Sequence, residues 1–317
     1  MRCWRFVALL SGLIGCGASP PPAPSRSSVH VPAASEEVSD SLCDRRARAS
    51  ELASEGDRAL DTDVDAAVRH YEEAVELDPD NDRLLWKLAL AHEKKEDWPR
   101  VAQVMSRAVE VAPAFASYWH KLGFAEVKQG AYAQAENPLR RCIEKDPNFF
   151  ECHALLARVQ EWTEREQAAL QSYTKAIELG PGDGDSYLRL ASLYFSLKLL
   201  PQARAVLQEG VSRVPSGSDN DVTLFRMYAD LAAVAEAEAD PTARLAALEK
   251  AVAHAGDTNP EGLFLLGRAH ALMDPPRKQE AVSLLTQFVK RVCRGAGAIK
   301  FKRQCEETSS LLQRLGQ

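Results

Sequence analysis

Large apolar residues recur along this chain on a fixed step. Leu88, Leu122, Leu156 and Leu190 stand at equal intervals, and each is followed at once by a small residue: Ala89, Gly123, Ala157 and Ala191. A second set keeps the same step. Ala135, Ala169 and Ala203 are followed four residues later by Leu139, Tyr173 and Leu207, and three beyond those by Cys142, Ala176 and Gly210. Spacings of three and four place such residues on one helical face, and a large side chain opposite a small one lets two helices approach closely. Pro79, Pro113, Pro147, Pro181 and Pro215 close each unit, because proline stops the second helix. Asn148 or Asp183, just beyond, is expected to cap the helix that follows. The pattern predicts an antiparallel helix pair restarted with a period of about 34 residues, a stacked array whose surface suits holding other proteins.

This period, with Trp119, Leu122, Gly123, Ala135 and Pro147, resembles the tetratricopeptide repeat. The resemblance runs through five regular units in residues 43–215, the first one residue short in its opening helix. Two degenerate units follow in residues 216–292. Ser216 to Asp221 reads as an inserted loop before Tyr228, Leu231, Ala232, Leu248 and Ala251; Leu263, Leu266, Gly267, Ala281 and Leu285 surround the loop Asp274-Pro275-Pro276. A polar helix from Phe301 to Leu315, within residues 293–317, would cap the open end. The fold implied is all-α, a right-handed solenoid of about seven antiparallel helix pairs with a C-terminal capping helix. Pro138 departs from the pattern and is expected to kink its helix or delay its start.

The front of the chain has another character. Residues 1–15 join Arg2 and Arg5 to the apolar run Phe6 to Gly15, the build of a secretory signal peptide too short to span a bilayer. Leu13-Ile14-Gly15-Cys16 resembles the lipobox of bacterial lipoproteins, which implies that Cys16 is acylated and becomes the first mature residue. An ordinary signal peptide is the alternative, but no Ala-x-Ala cleavage site follows. Residues 16–42 form a Pro/Ala/Ser-rich tether, which holds too few large apolar residues to fold on a core. Gly17, rather than Asp, after the cysteine points to the outer membrane and a periplasmic location.

Charge and missing motifs narrow the chemistry. The formal net charge is −6, and loss of Arg2 and Arg5 with the leader would make it more negative, a poor match for nucleic acid. The seven histidines form no His-x-x-x-His pair, and the sequence holds no Cys-x-x-Cys, phosphate-binding loop or nucleophile elbow. Asp61, Asp63, Asp65 and Glu72 stand at four ligand positions of a calcium loop, but Ala66 replaces its required Gly, so the acidic run is expected to cap a helix. No enzyme activity, cofactor or metal is expected. Cys142 falls on a small-residue core position and reads as a buried thiol, with pairing to Cys152 as the alternative. Cys293 and Cys305 flank Gly295-Ala296-Gly297 and form a candidate disulfide.

In tetratricopeptide repeats the first helix of each pair lines the concave side. Carried over by position, that set is Trp86, Leu90, Glu93, His120, Phe124, Arg158, Glu161, Trp162, Leu188, Phe195, Phe264 and Arg268. Aromatic residues and Arg there suit protein recognition. Lipobox and repeats together resemble the envelope lipoproteins that include the pilotins of type IV pili and the helical-repeat lipoprotein of outer-membrane barrel assembly. The resemblance implies a membrane-anchored scaffold or assembly factor of an envelope machine for pilus, motility, secretion or outer-membrane assembly, with protein partners. A regulatory or substrate-recruiting subunit of an envelope enzyme is the alternative.

Overall fold

The computed structural model describes residues 34–255 and 259–316, and all regular structure among them is helical. The signal peptide, Cys16 and residues 16–33 of the tether lie outside the described residues. The chain divides into two compact units, one ending at Pro113 and the other beginning at Ala114. The first holds α1 (Ala34–Ala59), α2 (Val64–Leu77), α3 (Asp82–Lys94) and α4 (Trp98–Val111). The second holds α5 (Ala116–Lys128), α6 (Tyr132–Lys145), α7 (Phe150–Trp162), α8 (Glu166–Leu179), α9 (Gly184–Ser196), α10 (Leu200–Arg213), α11 (Asp221–Ala237), α12 (Pro241–Ala255), α13 (Pro260–Ala271), α14 (Lys278–Val292), α15 (Ala296–Lys300) and α16 (Lys302–Leu315). Consecutive helices pair, giving two pairs in the first unit and five in the second, where α16 packs on α13 and α14 as the cap.

The start of α1 differs from the sequence expectation. Residues 34–42, given to the tether on composition, belong to this helix, which begins once the prolines end at Pro32.

Within each pair the predicted large-on-small contact is the core. Tyr71, Met105, Leu139, Tyr173 and Leu285 are fully buried, each on the second helix of its pair. Opposite them stand residues with little or no side chain. A Cβ on Gly123 would lie 2.7 Å from Leu139 Cγ, one on Gly56 2.6 Å from Tyr71 Cε1, and one on Gly267 2.9 Å from Leu285 Cδ2. Those separations are below van der Waals contact, so glycine sets how closely these helices approach.

The turn inside each pair repeats as well. Glu96, Gly130, Glu164, Lys198 and Ala239 all have positive φ, between 56° and 74°. After each of them the next amide donates back across the turn, Asp97 to His92 O, Ala131 to Glu126 O, Arg165 to Gln160 O, Leu199 to Tyr194 O and Asp240 to Ala235 O, at 2.8 to 3.0 Å. This left-handed closure satisfies the last carbonyls of the first helix and reverses the chain at once.

Three local expectations change. Pro138 stands inside α6 and does not delay it, because the start at Tyr132 falls midway between Trp98, which opens α4, and Glu166, which opens α8, as the repeat requires. Asn148 does not cap α7; Phe149 holds that place with no side-chain bond. Asp183 stands at the N-cap of α9, but its carboxylate accepts from Ser186 Oγ instead of a backbone amide.

Cys142 is not a thiol. It is bonded to Cys152, with the Cα atoms 6.3 Å apart, because the small-residue position at the end of α6 faces the first turn of α7 as well as its own pair. Cys293 and Cys305 are also joined, Cα to Cα 5.8 Å, tying the end of α14 to α16. Cys43, exposed on α1, takes part in neither of these two bonds. Closing the short loop between Cys142 and Cys152 is worth about 3 kcal/mol in the chain-entropy picture. Thiol titration of the unfolded, unreduced mature chain should find Cys43 but not these four, and Cys142→Ala/Cys152→Ala should lose stability by that order in urea. Four further reactive thiols would contradict the pairing.

Candidate functional site

The first helices carry the residues assigned to the binding face. In the first unit Trp86, Leu90 and Glu93 lie half-buried on α3. Lys87 beside them pairs with Asp57 of α1, and Asp57 also accepts from Tyr71 Oη at 2.7 Å. The acidic run after α1 behaves as expected for a cap: Asp63 accepts from the Ala66 amide at 2.9 Å, and Asp61 and Asp65 pair with Lys94 and Lys95.

In the second unit α5, α7 and α9 supply most of the face. His120 stacks between Phe124 and Phe149, with centroids 6.2 and 5.2 Å away. The ammonium groups of Lys121 and Lys128 lie 5.9 and 5.3 Å from the Phe124 centroid, within cation–π range. On α7, Arg158 is half-buried and its Nε has no hydrogen-bond partner among the described residues. Glu161 accepts from Tyr173 Oη at 2.7 Å, and burial together with this bond holds that phenol well above its ordinary range. Trp162 is 60% exposed and lies flat on Tyr132, centroids 5.2 Å apart and planes 6° from parallel. On α9, Phe195 is half-buried and lines a pocket of about 130 Å3 with Ala191, Ser192, Leu207, Asp230, Ala233 and Val234.

Several assignments need correction. Leu188 is 5% exposed and belongs to the core around Tyr187, Val214 and Met227. Phe264 is 7% exposed, because Phe288 stacks on it at 5.4 Å and α16 closes over that pair with Leu311. Phe124 packs against a buried cluster that includes Leu139 and Leu155, so only part of its ring faces outward. Arg268 is on the expected face but is held by Glu236 at 3.2 Å and Glu307 at 2.7 Å.

Sequence reasoning passed over Tyr132, Phe149 and one unusual carboxyl. The residues four after the repeating leucines are His92, Glu126, Gln160 and Tyr194, a polar row inside helix pairs. Gln160 Oε1 accepts from Ser172 Oγ at 2.7 Å. At the equivalent position of α6, one repeat earlier, Ser172 is replaced by Pro138, which has nothing to donate. Glu126 Oε2 is accordingly buried without a partner, and desolvation pushes the carboxyl up to about 7. Burial likewise lowers His92 and His270, whose Nδ1 atoms are buried without a hydrogen bond, His92 Nδ1 lying 3.9 Å from the Asp97 carboxylate.

The repeat geometry is matched by known families. A TPR repeat family matches residues 63–96, and two tetratricopeptide repeat families match residues 120–184 and 163–219. The chain carries tetratricopeptide repeats. Among solved structures, the C-terminal part of a TPR repeat-containing protein from Cytophaga hutchinsonii aligns with a TM-score of 0.60 at 11% identity, over 77% of this chain and 97% of that one. Pseudomonas aeruginosa PilF aligns with a TM-score of 0.52 at 14% identity, over 69% and 96%. MamA aligns with a TM-score of 0.50 at 20% identity, over 52% and 91%. At these identities the likeness is one of fold. Stacked repeats of this kind make a protein–protein interaction scaffold.

Glu126 offers a direct check on the buried row. Its raised value means the folded chain holds this proton more tightly than the unfolded chain, so stability falls as pH rises from about 4.5 to about 7. Glu126→Gln removes the charge and should gain up to about 3 kcal/mol at pH 8 and little at pH 4, read by urea unfolding. An equal gain at both pH values would place the effect elsewhere.

Proposed function

We propose that this protein is a non-enzymatic, lipid-anchored scaffold or assembly factor of a bacterial envelope machine, held at the outer membrane through Cys16 and facing the periplasm. The tether up to Ala34 would let the helical units stand clear of the bilayer and meet soluble or membrane-bound partners. The lipobox-like Leu13-Ile14-Gly15-Cys16 supports the anchor, and the acidic balance of the chain argues against anionic headgroups or nucleic acid as the principal ligand.

The observation that carries the binding reading is the Trp162–Tyr132 stack. A large indole left 60% exposed is costly to solvate unless a partner covers it, and the parallel tyrosine holds it rigid before binding. Phe124, His120 and Arg158 on the neighbouring turns supply the surrounding aromatic and cationic contacts. Such a surface fits an extended or helical segment of a partner protein.

Crosslinking in intact cells, followed by capture and mass spectrometry, should recover the same partner from repeated preparations. Trp162→Ala should then lower its capture by roughly tenfold or more while costing about 1 kcal/mol of folding stability, the worth of one aromatic stack. Unchanged capture would remove Trp162 from the interface. Anchoring is tested separately. Two or more acyl chains hold a protein stably at a membrane, so Cys16→Ser should either release an exported chain to the soluble fraction or block its maturation. A correctly exported Cys16→Ser chain that still fractionates with membranes would overturn the lipid anchor.

A further inference from the structure

The pocket between α9, α10 and α11 has a composition that a general docking face does not require. Its walls are Ala191, Phe195, Leu207, Ala233 and Val234, all apolar, and its polar groups are Ser192 and the carboxylate of Asp230. Among the described residues no hydrogen bond or ion pair reaches Asp230. Asp230 is exposed to solvent, and its apolar neighbours push its carboxyl up to about 6. The charges that act on it are Arg226 one turn back on α11 and Glu261 on α13, while Lys198, beyond the end of α9, holds its ammonium 5.9 Å from the Phe195 centroid. Arg226 opposes the rise and Glu261 adds to it, and desolvation outweighs both.

An acid kept in such a place destabilises the folded chain wherever it is ionised. Its raised pKa means that stability is lost as pH climbs from the ordinary carboxyl range to about 6, and remains lower at neutral pH. No described side chain pairs with the charge beyond the distant pull of Arg226, and an arriving cation would.

Resting on the scaffold reading above, we infer that this pocket is a subsite for one lysine side chain of the partner protein, its aliphatic stem lying along Phe195, Leu207 and Val234 and its ammonium paired with Asp230. Size and shape favour lysine. The pocket's volume of about 130 Å3 gives an unbranched aliphatic stem room between the apolar walls, with the ammonium at the carboxylate. Lysine brings a compact ammonium on a flexible four-carbon stem, which a single carboxylate at the end of an apolar wall can pair. The Phe195 ring adds an aromatic face to the stem and a cation–π contribution to the head.

The test needs no partner, so its outcome is independent of whether the natural ligand has been identified. Nα-acetyl-lysine N-methylamide and the norleucine analogue, which keeps the stem and lacks the ammonium, are titrated into the labelled full chain and followed by amide chemical shifts. The lysine probe should perturb Ser192, Phe195, Asp230 and Ala233, with the norleucine probe about tenfold weaker. Asp230→Asn, which stays folded by its unchanged shifts elsewhere, should bring the two probes level. With Asp230 titrating near 6, affinity for the lysine probe should fall about tenfold between pH 7 and pH 5, while norleucine stays flat. Equal binding of the two probes, shifts centred away from α9 and α11, or undiminished lysine binding in Asp230→Asn would each overturn the assignment. Loss of the lysine subsite would leave the Trp162 capture result untouched.

Discussion

Each helix pair in this protein hangs on one contact, a large buried side chain on the second helix seated against a nearly bare backbone on the first. At Gly56, Gly123 and Gly267 the distance is so short that even a methyl group would collide with Tyr71, Leu139 or Leu285. Close approach carries dispersion energy from both helices over their full length, whereas a larger residue at one point would hold them apart everywhere. Ala89, Ala157 and Ala191 answer to the same rule with a partner of adjusted shape, Met105, Tyr173 and Leu207. The rest of the geometry is arranged around that closeness. Two helices so near can be joined only by a very short connection, and the left-handed residue at each turn provides it. Four of the five such residues carry side chains, which costs of order 1 kcal/mol each relative to glycine and is accepted because both helix ends are fixed by packing.

A second consequence is that the interior of each pair holds little space for polar groups, yet one row of them runs through it. His92, Glu126, Gln160, Tyr194 and His270 all lie on the last turn of a first helix, and the backbone carbonyl of each accepts the closing bond of the turn. Their side chains fare differently. Gln160 finds Ser172, while Glu126, His92 and His270 keep buried atoms without a hydrogen bond. The array therefore carries its ionisable strain at a repeated place, and its stability responds to pH through the side chains there rather than through the surface ion pairs, which are worth little in water.

The regular part of this fold was legible because its cause is periodic. The leucine and small-residue positions, the proline stops and the terminal cap follow from spacing alone, and the helices of α3 to α10 start on the same step as the sequence. What was not legible depends on neighbours that spacing does not reveal. Leu188 and Phe264 occupy the same repeat position as the half-buried Trp86 and His120, but one meets the Tyr187 core and the other is covered by α16. The Cys142–Cys152 bond needs the register of α6 against the following pair, a relation between units and not within one. Tyr132 escaped notice because it opens a second helix, outside the set of positions taken to face the partner. The left-handed turns were hidden because Glu96, Glu164, Lys198 and Ala239 do not advertise positive φ as glycine does.

Those same exceptions locate function. A periodic array can give every residue at an equivalent position the same fate, so an aromatic that remains exposed, or a carboxyl that remains unpaired, stands out against its own repeats. Trp162 remains open on its tyrosine stack, and Asp230 lines an apolar wall with no ion pair among the described residues, whereas Phe264 is covered and Arg268, at another position, is held by two acids. Both exceptions fall in the second unit, on first helices whose neighbours are complete pairs with their large-on-small contacts made. The stability of those pairs is what allows the surface to keep groups that folding alone would have buried or neutralised. In a repeat protein the scaffold's redundancy and the site's irregularity are thus two sides of one constraint: recognition is written in the positions the packing rule leaves unclaimed.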